Sequence, residues 1–209
     1  MRAPTFCFSS ALTMGGITTE ILTGDRLTVG LDAVAGLRIE VFRSYPYLYE
    51  GSLDYERRYL TKLAQAPGAV IVVAREGDKI IGASTGLPLI AEHDEFKAPF
   101  AAQGFDIATI FYCAESVLSA SYRGRGLGHA FFDAREAQAR QLGLTRSTFC
   151  AVVRAEDDPR RPPDYRPLDA FWTKRQYRPV RGLVTTYHWT EIGNMAETEQ
   201  TLQFWMRDL

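Results

Sequence analysis

Tyr122-Arg123-Gly124-Arg125-Gly126-Leu127-Gly128-His129 is the stretch that decides the fold. It follows an apolar extended run, Ile110 to Leu118, and precedes a helix-like run, Ala130 to Leu142. A strand, a glycine-rich turn and a helix start, in that order, make an anion cradle. The first N–H groups of a helix have no partner within it, and the helix dipole adds positive potential there. Glycine brings backbone close to a phosphate with no side chain between them, and Arg123 and Arg125 add charge. The stretch reads as a pyrophosphate site.

Glycine spacing narrows whose pyrophosphate it is. The order is Gly124-x-Gly126-x-Gly128. A Rossmann fingerprint needs two residues between its second and third glycines and an early place in a βαβ unit. This loop has neither. It also lacks the Gly-Lys-Ser/Thr of a P-loop. One Arg-Gly-Arg-Gly between a strand and a helix, in a near-neutral chain, is little support for an RNA-binding tail.

Upstream, Ile17 to Leu22 alternates as a first strand. From Asp25, residues Leu27, Leu31, Val34, Leu37 and Val41 recur at helical spacing, and Pro46 stops that helix. Ser52 caps a second helix carrying Tyr55, Tyr59, Leu60 and Leu63, which Pro67-Gly68 ends. Ala69 to Ala74 and Lys79 to Leu87 form a hairpin around Glu76-Gly77-Asp78. A polar-aromatic excursion, Pro88 to Asp106, holds a short helix near Glu95 to Gln103. His93 there reads as solvated. Ile107 to Leu118 is the strand that feeds the glycine loop.

Downstream, Leu127, Ala130, Phe131, Ala134, Ala137 and Leu142 put one apolar stripe on the following helix, with Gly143 as its cap. Ser147 to Val153 is a strand, and Arg154 to Arg166 a loop rich in Pro, Arg and Asp. Leu168 to Gln176 is a short helix. Leu183 to Ile192 and Thr201 to Arg207 are closing strands. The order β-α-α-β-β-β-α-β-α-β-β calls for an α/β (α+β) mixed sheet with helices on both faces.

The 209 residues suit one domain with a real core. Residues 1–16 read as a flexible N-terminal arm and 17–209 as the single domain. With 24 Lys+Arg against 25 Asp+Glu, a nucleic-acid-coating role has no compositional support. No run is long and apolar enough to span a membrane, and residues 1–16 make a poor signal peptide. Cys7, Cys113 and Cys150 are widely spaced, with no metal or disulfide pattern, which suits the cytoplasm. Cys113 and Cys150 read as core residues.

Arg123, Gly126 and Gly128 spell Arg-x-x-Gly-x-Gly after a strand and opening a helix. This resembles the acetyl-CoA signature of the GNAT superfamily of N-acetyltransferases, and the likeness extends from Ile17 to the C-terminus. Asp169-Ala170-Phe171-Trp172-Thr173-Lys174-Arg175-Gln176-Tyr177 resembles the family's later helix, with Trp172 where a tyrosine is usual. The resemblance implies a mostly antiparallel central sheet and acetyl-CoA as acyl donor, with no metal. It implies that the backbone from Arg123 through Gly124, Arg125, Gly126, Leu127 and Gly128 to His129 holds the coenzyme pyrophosphate. Backbone groups near Val117 and Leu118 would pair with the pantetheine arm. Arg160 and Arg161 either reach the 3′-phosphate or sit in a solvated loop.

Acetyl transfer needs an amine held against a thioester, a base, and a route for the thiolate to leave. Glu115 is the base candidate, because a carboxylate inside an apolar run must face water, a partner or a ligand cleft. Salt-bridge partner and organiser of the amine are its alternative roles. Trp172 cannot donate a proton near neutral pH, so either the thiolate leaves unaided or another group such as Tyr165, the first candidate, or Tyr177 substitutes. Tyr45, Tyr47, Tyr49 and Glu50, with the Glu92 to Glu95 loop opposite, form the expected acceptor site. Aromatic walls with acid suit a cationic amine.

The sequence therefore reads as an amine N-acetyltransferase. The alternative, kept open by Trp172, is an acyl-CoA-binding sensor without turnover. Exposed-looking Trp189, Phe204 and Trp205 suggest a homodimer, with a core role as the other reading.

Overall fold

The computed structural model describes residues 12–22 and 25–209. Its strands are β1 (Leu12–Met14), β2 (Ile17–Ile21), β3 (Val70–Glu76), β4 (Lys79–Pro88), β5 (Ile110–Leu118), β6 (Arg146–Val152), β7 (Arg178–Thr190) and β8 (Glu197–Asp208). The helices are α1 (Asp25–Phe42), α2 (Leu53–Gln65), α3 (Asp94–Ala102), α4 (Leu127–Gln141) and α5 (Asp169–Lys174). The strands make one sheet in the order β1-β2-β3-β4-β5-β6-β8-β7. Only β5 and β6 run parallel; the other neighbours are antiparallel.

Helices cover both faces. Val34 and Leu37 of α1 pack with Leu60 and Leu63 of α2 on Ile71, Val73 and Val117. Leu127 and Phe131 of α4 pack on Val72, Ile81, Phe111 and Cys113 of the opposite face. A third cluster joins Leu89, Phe96 and Phe100 to Trp189 and Phe204 at the end of the sheet. The mixed, mostly antiparallel sheet expected from the sequence is the one formed.

The differences are local. Strand β1 pairs with β2, so residues 12–14 belong to the sheet. Residues 15–16 form the turn between β1 and β2, and the remainder of the expected arm, residues 1–11 with Cys7, lies outside the described residues. Strand β7 begins at Arg178, earlier than alternation suggested, because its ladder with β8 resumes across an irregularity between Pro179 and Val184, and β8 begins at Glu197 because residues 197–199 pair with His188 to Thr190. Helix α4 buries Leu127, Phe131, Phe132, Arg135, Glu136 and Ala139. Leu142, expected in its stripe, is its exposed C-cap residue. Trp189, Phe204 and Trp205 are all buried, so the surface argument for a homodimer lapses. Among the described residues, no helix is long and apolar enough to cross a membrane.

Candidate active site

The glycine loop has the backbone geometry of an anion cradle. Gly124 has φ 75° and Gly126 φ 83°, both in the left-handed region that favours glycine. Gly126 is the N-cap of α4. Among the described residues, the N–H groups of Gly124, Arg125 and Gly126 donate to no backbone carbonyl. Those of Leu127 and Gly128 lie in the first helical turn, where no carbonyl is in reach. Arg123 and Arg125 stand exposed beside them. Leu127 is buried under the loop, and His129 packs edge-on against Phe171, ring centroids 4.9 Å apart. A Cβ on Gly128 would meet the Phe171 ring at 3.3 Å, so glycine there lets α5 close on α4.

The strand before the loop opens towards it. Pairing between β5 and β6 covers only Ile110 to Tyr112, and the strands separate beyond it. Ser119 N–H donates to the Ile81 carbonyl at 3.0 Å. Antiparallel alternation then turns Val117 towards β4 and the N–H and C=O groups of Ser116 and Leu118 towards the open side. Leu118 thus has free backbone at the expected place, whereas Val117 has its backbone in the ladder and its side chain in the core. Free amides and an open strand edge fit a pyrophosphate and an extended pantetheine arm.

A bulge sits where the strands part. Thr85 faces Glu115 and Leu87 faces Tyr112, so three steps of β5 match two of β4. The extra residue switches sides: Phe111 and Cys113 face α4, while Val117 faces α1 and α2. Arg135 of α4, 1% exposed, fills the gap. Its guanidinium donates to the carbonyls of Glu115 (2.9 Å), Thr85 (3.3 Å) and Phe131 (3.2 Å).

On the other side of the sheet lies a cavity of about 320 Å³. Tyr47, Tyr49 and Glu50 line it, with Tyr55, Tyr59, Tyr112 and Tyr187. The tyrosine loop is held by distant parts of the chain. Trp189 Nε1 donates to the Tyr47 carbonyl at 2.9 Å, Arg154 Nε to the Pro46 carbonyl at 2.7 Å, and Glu50 N–H to the Thr190 carbonyl at 2.8 Å. Tyr45 turns away from the cavity and packs on Tyr165, ring centroids 4.7 Å apart.

Glu115 lines the cavity as part of a buried ionic cluster. One carboxylate oxygen pairs with Arg38 Nη1, and the other accepts from Tyr59 Oη at 2.9 Å. Arg38 also pairs with Glu56, which is fully buried. Glu92 lines the same cavity with its side chain 7% exposed. Burial raises its carboxyl above the ordinary carboxylate range. Cys150 faces the cavity as well, with Tyr112 Oη 3.1 Å from its sulfur. Burial pushes this thiol up to about 12. Among the described residues, no group of His, Cys, Asp and Glu is arranged to hold a metal.

Trp172 is on the α4 face, against Phe149 and Trp205 at centroid distances of 5.0 and 5.1 Å. Tyr177 is fully buried, and its hydroxyl is taken up by Ser147 Oγ (2.7 Å) and Glu136 (3.1 Å), which leaves nothing for a ligand. The Tyr165 hydroxyl bonds to no group among the described residues, and burial raises its pKa. Arg160 is committed to Asp158 and Glu191, whereas Arg161 lies over the Tyr165 ring.

Arg38, Glu56 and Arg135 escaped the sequence reading, although a signal was present. Arg38 sits four residues after Val34 and three before Val41, and Glu56 precedes Leu60 and Leu63 at helical spacing. A charge on an apolar stripe announces a buried partner.

Comparison with known proteins agrees with this geometry. The family model described as acetyltransferase (GNAT) family matches residues 36–162, more than half of the 209 residues, and the chain belongs to that family. No curated protein sequence matches it significantly. Among solved structures, a ribosomal-protein-alanine N-acetyltransferase from Brucella melitensis superposes with TM-score 0.59 at 12% identity, over 91% of this chain and 99% of that one. An N-acetyltransferase from Staphylococcus aureus gives 0.57 at 15% identity, over 91% and 98%. A protein from Salmonella typhimurium, solved with its cofactor acetyl-CoA, gives 0.57 at 11% identity, over 91% and 94%. At these identities the likeness is one of fold.

Proposed function

We propose that this GNAT-family chain moves an acetyl group from acetyl-CoA to the primary amine of a small molecule, by direct attack with both bound. The observation that carries this reading is the cavity behind the β5–β6 separation, walled by tyrosines and by the carboxylates of Glu50, Glu92 and Glu115. Its volume of about 320 Å³ is in the range of small-ligand sites. Aromatic faces and carboxylates together favour a cation. A recess of this volume suits a small amine better than a lysine on a folded protein.

Bound acetyl-CoA supplies an activated thioester. The loop amides of residues 124–128 and the edge groups of Ser116 and Leu118 hold its anionic and pantetheine parts. Arg123 and Arg125 add charge at the mouth. Tyr47, Tyr49 and Glu50 wall the amine, and Tyr45 backs them through Tyr165. Glu115, fixed by Arg38 and Tyr59, organises the amine side of the cavity. Tyr165 gives a proton to the departing thiolate in place of the missing tyrosine on α5. Its raised pKa keeps it protonated at neutral pH. We place the protein in the cytoplasm, in keeping with unpaired Cys113 and Cys150. A homodimer would need another surface, and the free edge of β7 offers one.

Two measurements test the reading. Calorimetry should give sub-millimolar acetyl-CoA affinity, and thiol release should appear with members of a panel of small primary amines but not with lysine peptides. Affinity without release for any amine would leave the sensor alternative standing, and absent affinity would remove both. Equal turnover by Tyr165→Phe would remove Tyr165 as proton donor.

A further inference from the structure

We infer that Glu92, rather than Glu115, is the carboxylate that receives the substrate ammonium and takes its proton. This rests on the acceptor-cavity reading above and goes beyond it by assigning the base.

The two carboxylates differ in what already holds them. Glu115 has one oxygen on Arg38 and the other on Tyr59, so it has a cation and a donor without any ligand. Glu92 accepts only the backbone N–H of His93, at 3.0 Å. No lysine or arginine among the described residues lies within ion-pair distance of it. The nearest cationic candidate is the His93 ring, 4.0 Å away and 40% exposed on its solvent side. A carboxylate buried to this degree, without a counterion, is unfavourable for the protein alone. An ammonium ion in the cavity is the partner it lacks.

The fold forces Glu92 into that position. Strand β4 ends at Pro88, and a single tight helical turn follows at Leu89–Ala91. Leu89 is fully buried, and Phe96 in the first turn of α3 is nearly so. Both belong to the cluster at the end of the sheet. The chain between two such anchors cannot swing outward, so Glu92 turns into the cavity. The Glu92 N–H bonds back to the Leu89 carbonyl at 3.0 Å, which closes the turn.

The surroundings set how the group titrates. Burial raises the Glu92 carboxyl, Glu115 on β5 adds to the rise, and His93 with distant Lys62 on α2 opposes it. Tyr59 on α2, Tyr112 on β5, Cys150 on β6 and Tyr187 on β7 also face it, and burial keeps all four protonated. Glu92 is thus the cavity's ready proton acceptor. In turnover the ammonium gives one proton to a Glu92 oxygen. The freed nitrogen pair forms the C–N bond as the C–S bond breaks and the sulfur keeps its pair. Tyr165 protonates the departing sulfur, and the second nitrogen proton replaces the one Tyr165 gave. Glu92 returns its proton to solvent.

The test compares wild type, Glu92→Gln and Glu115→Gln with the best amine of the panel, across pH. Glu92→Gln should lose about 100-fold in kcat at neutral pH, the lower range for removing a general base. Its rate should climb with pH, because only amine already neutral in solution can react. Acetyl-CoA affinity, measured by calorimetry, should stay within about threefold of wild type and so certify the fold. Glu115→Gln should keep the shape of the wild-type pH profile, with its acid limb moved to lower pH because the Glu115 charge no longer raises Glu92. Turnover by Glu92→Gln within threefold of wild type overturns the assignment and leaves the acetyltransferase reading intact. A wild type inactive with every amine overturns both. Separately, carbon-13 titration of the Glu92 carboxyl in the free protein should give a midpoint above the ordinary carboxylate range. An ordinary midpoint would show a solvated group and overturn the inference.

Discussion

Replacing Arg38 by methionine tests whether the cavity wall is held by buried charge. The side chains of Arg38, Glu56 and Glu115 are 9%, 0% and 8% exposed. Methionine fills the aliphatic part of the site, where the guanidinium now lies over Tyr59 at 4.5 Å and Phe42 at 5.1 Å. What it removes is the single cation between two carboxylates. Breaking a buried ion pair by deleting one partner costs about 3–5 kcal/mol, because the remaining charge cannot return to water. Here two carboxylates are stranded, and Tyr59 still donates to one of them. That range is therefore the expectation. For a chain of this length, 1 kcal/mol moves the melting temperature by roughly 2–4 °C. Arg38→Met should then melt about 6–20 °C lower.

Guanidinium unfolding followed by tryptophan fluorescence measures the loss directly, with buried Trp189 and Trp205 as reporters. Adding Glu56→Gln to Arg38→Met should recover part of the loss, and the double-mutant cycle isolates the pair. A loss below about 1 kcal/mol, the value of an exposed pair, would refute the reasoning. It would mean that water reaches the cluster and that Glu115 is free to act alone.

Gly126→Ala forces a side chain into φ 83°, at a cost of roughly 1–2 kcal/mol, and should weaken acetyl-CoA binding at least tenfold by calorimetry. Gly77→Ala, at φ 57° in the β3–β4 hairpin with open space around it, is the control that leaves affinity unchanged. Arg160 holds Asp158 through side-chain and backbone hydrogen bonds, lowering its pKa from 3.8 to about 2. That contribution to stability is complete above the unfolded value and is lost as pH falls through about 2. Arg160 also pairs with Glu191 and lowers its pKa, so the stability gap between wild type and Arg160→Ala should be constant above about pH 5, where both carboxylates are ionised, and shrink towards pH 2, as read from melting curves.

What could be read from sequence was local. Residues 122–129 disclose a cradle because strand, glycines and helix start are contiguous, and the β3–β4 hairpin is closed by its own turn. The cavity was legible in part, since Tyr47, Tyr49, Glu50 and Glu92, expected to face one another, line it together; the rest was not, because its wall also draws on α1, α2, β5 and β7, and its fastenings run from Arg154 and Trp189 across more than a hundred residues. Glu115 shows the limit most sharply. Alternation from Phe111 through Cys113 places it on the α4 face, yet the extra residue in β5 turns it towards Arg38 and Tyr59. Neither glycine nor proline lies in the bulged segment of β5, Cys113 and Ala114; Gly86 stands at the register shift on β4, where a Cβ would meet the Phe111 ring at 2.5 Å. A second trace lies in Arg135, an arginine on the apolar face of α4 that fits only if carbonyls of the sheet are released to meet it. The bulge, the arginine and the departure of β6 are parts of one device. It frees a backbone edge of β5 beside the glycine loop and turns the Glu115 carboxylate into the cavity, the two places the proposed reaction needs.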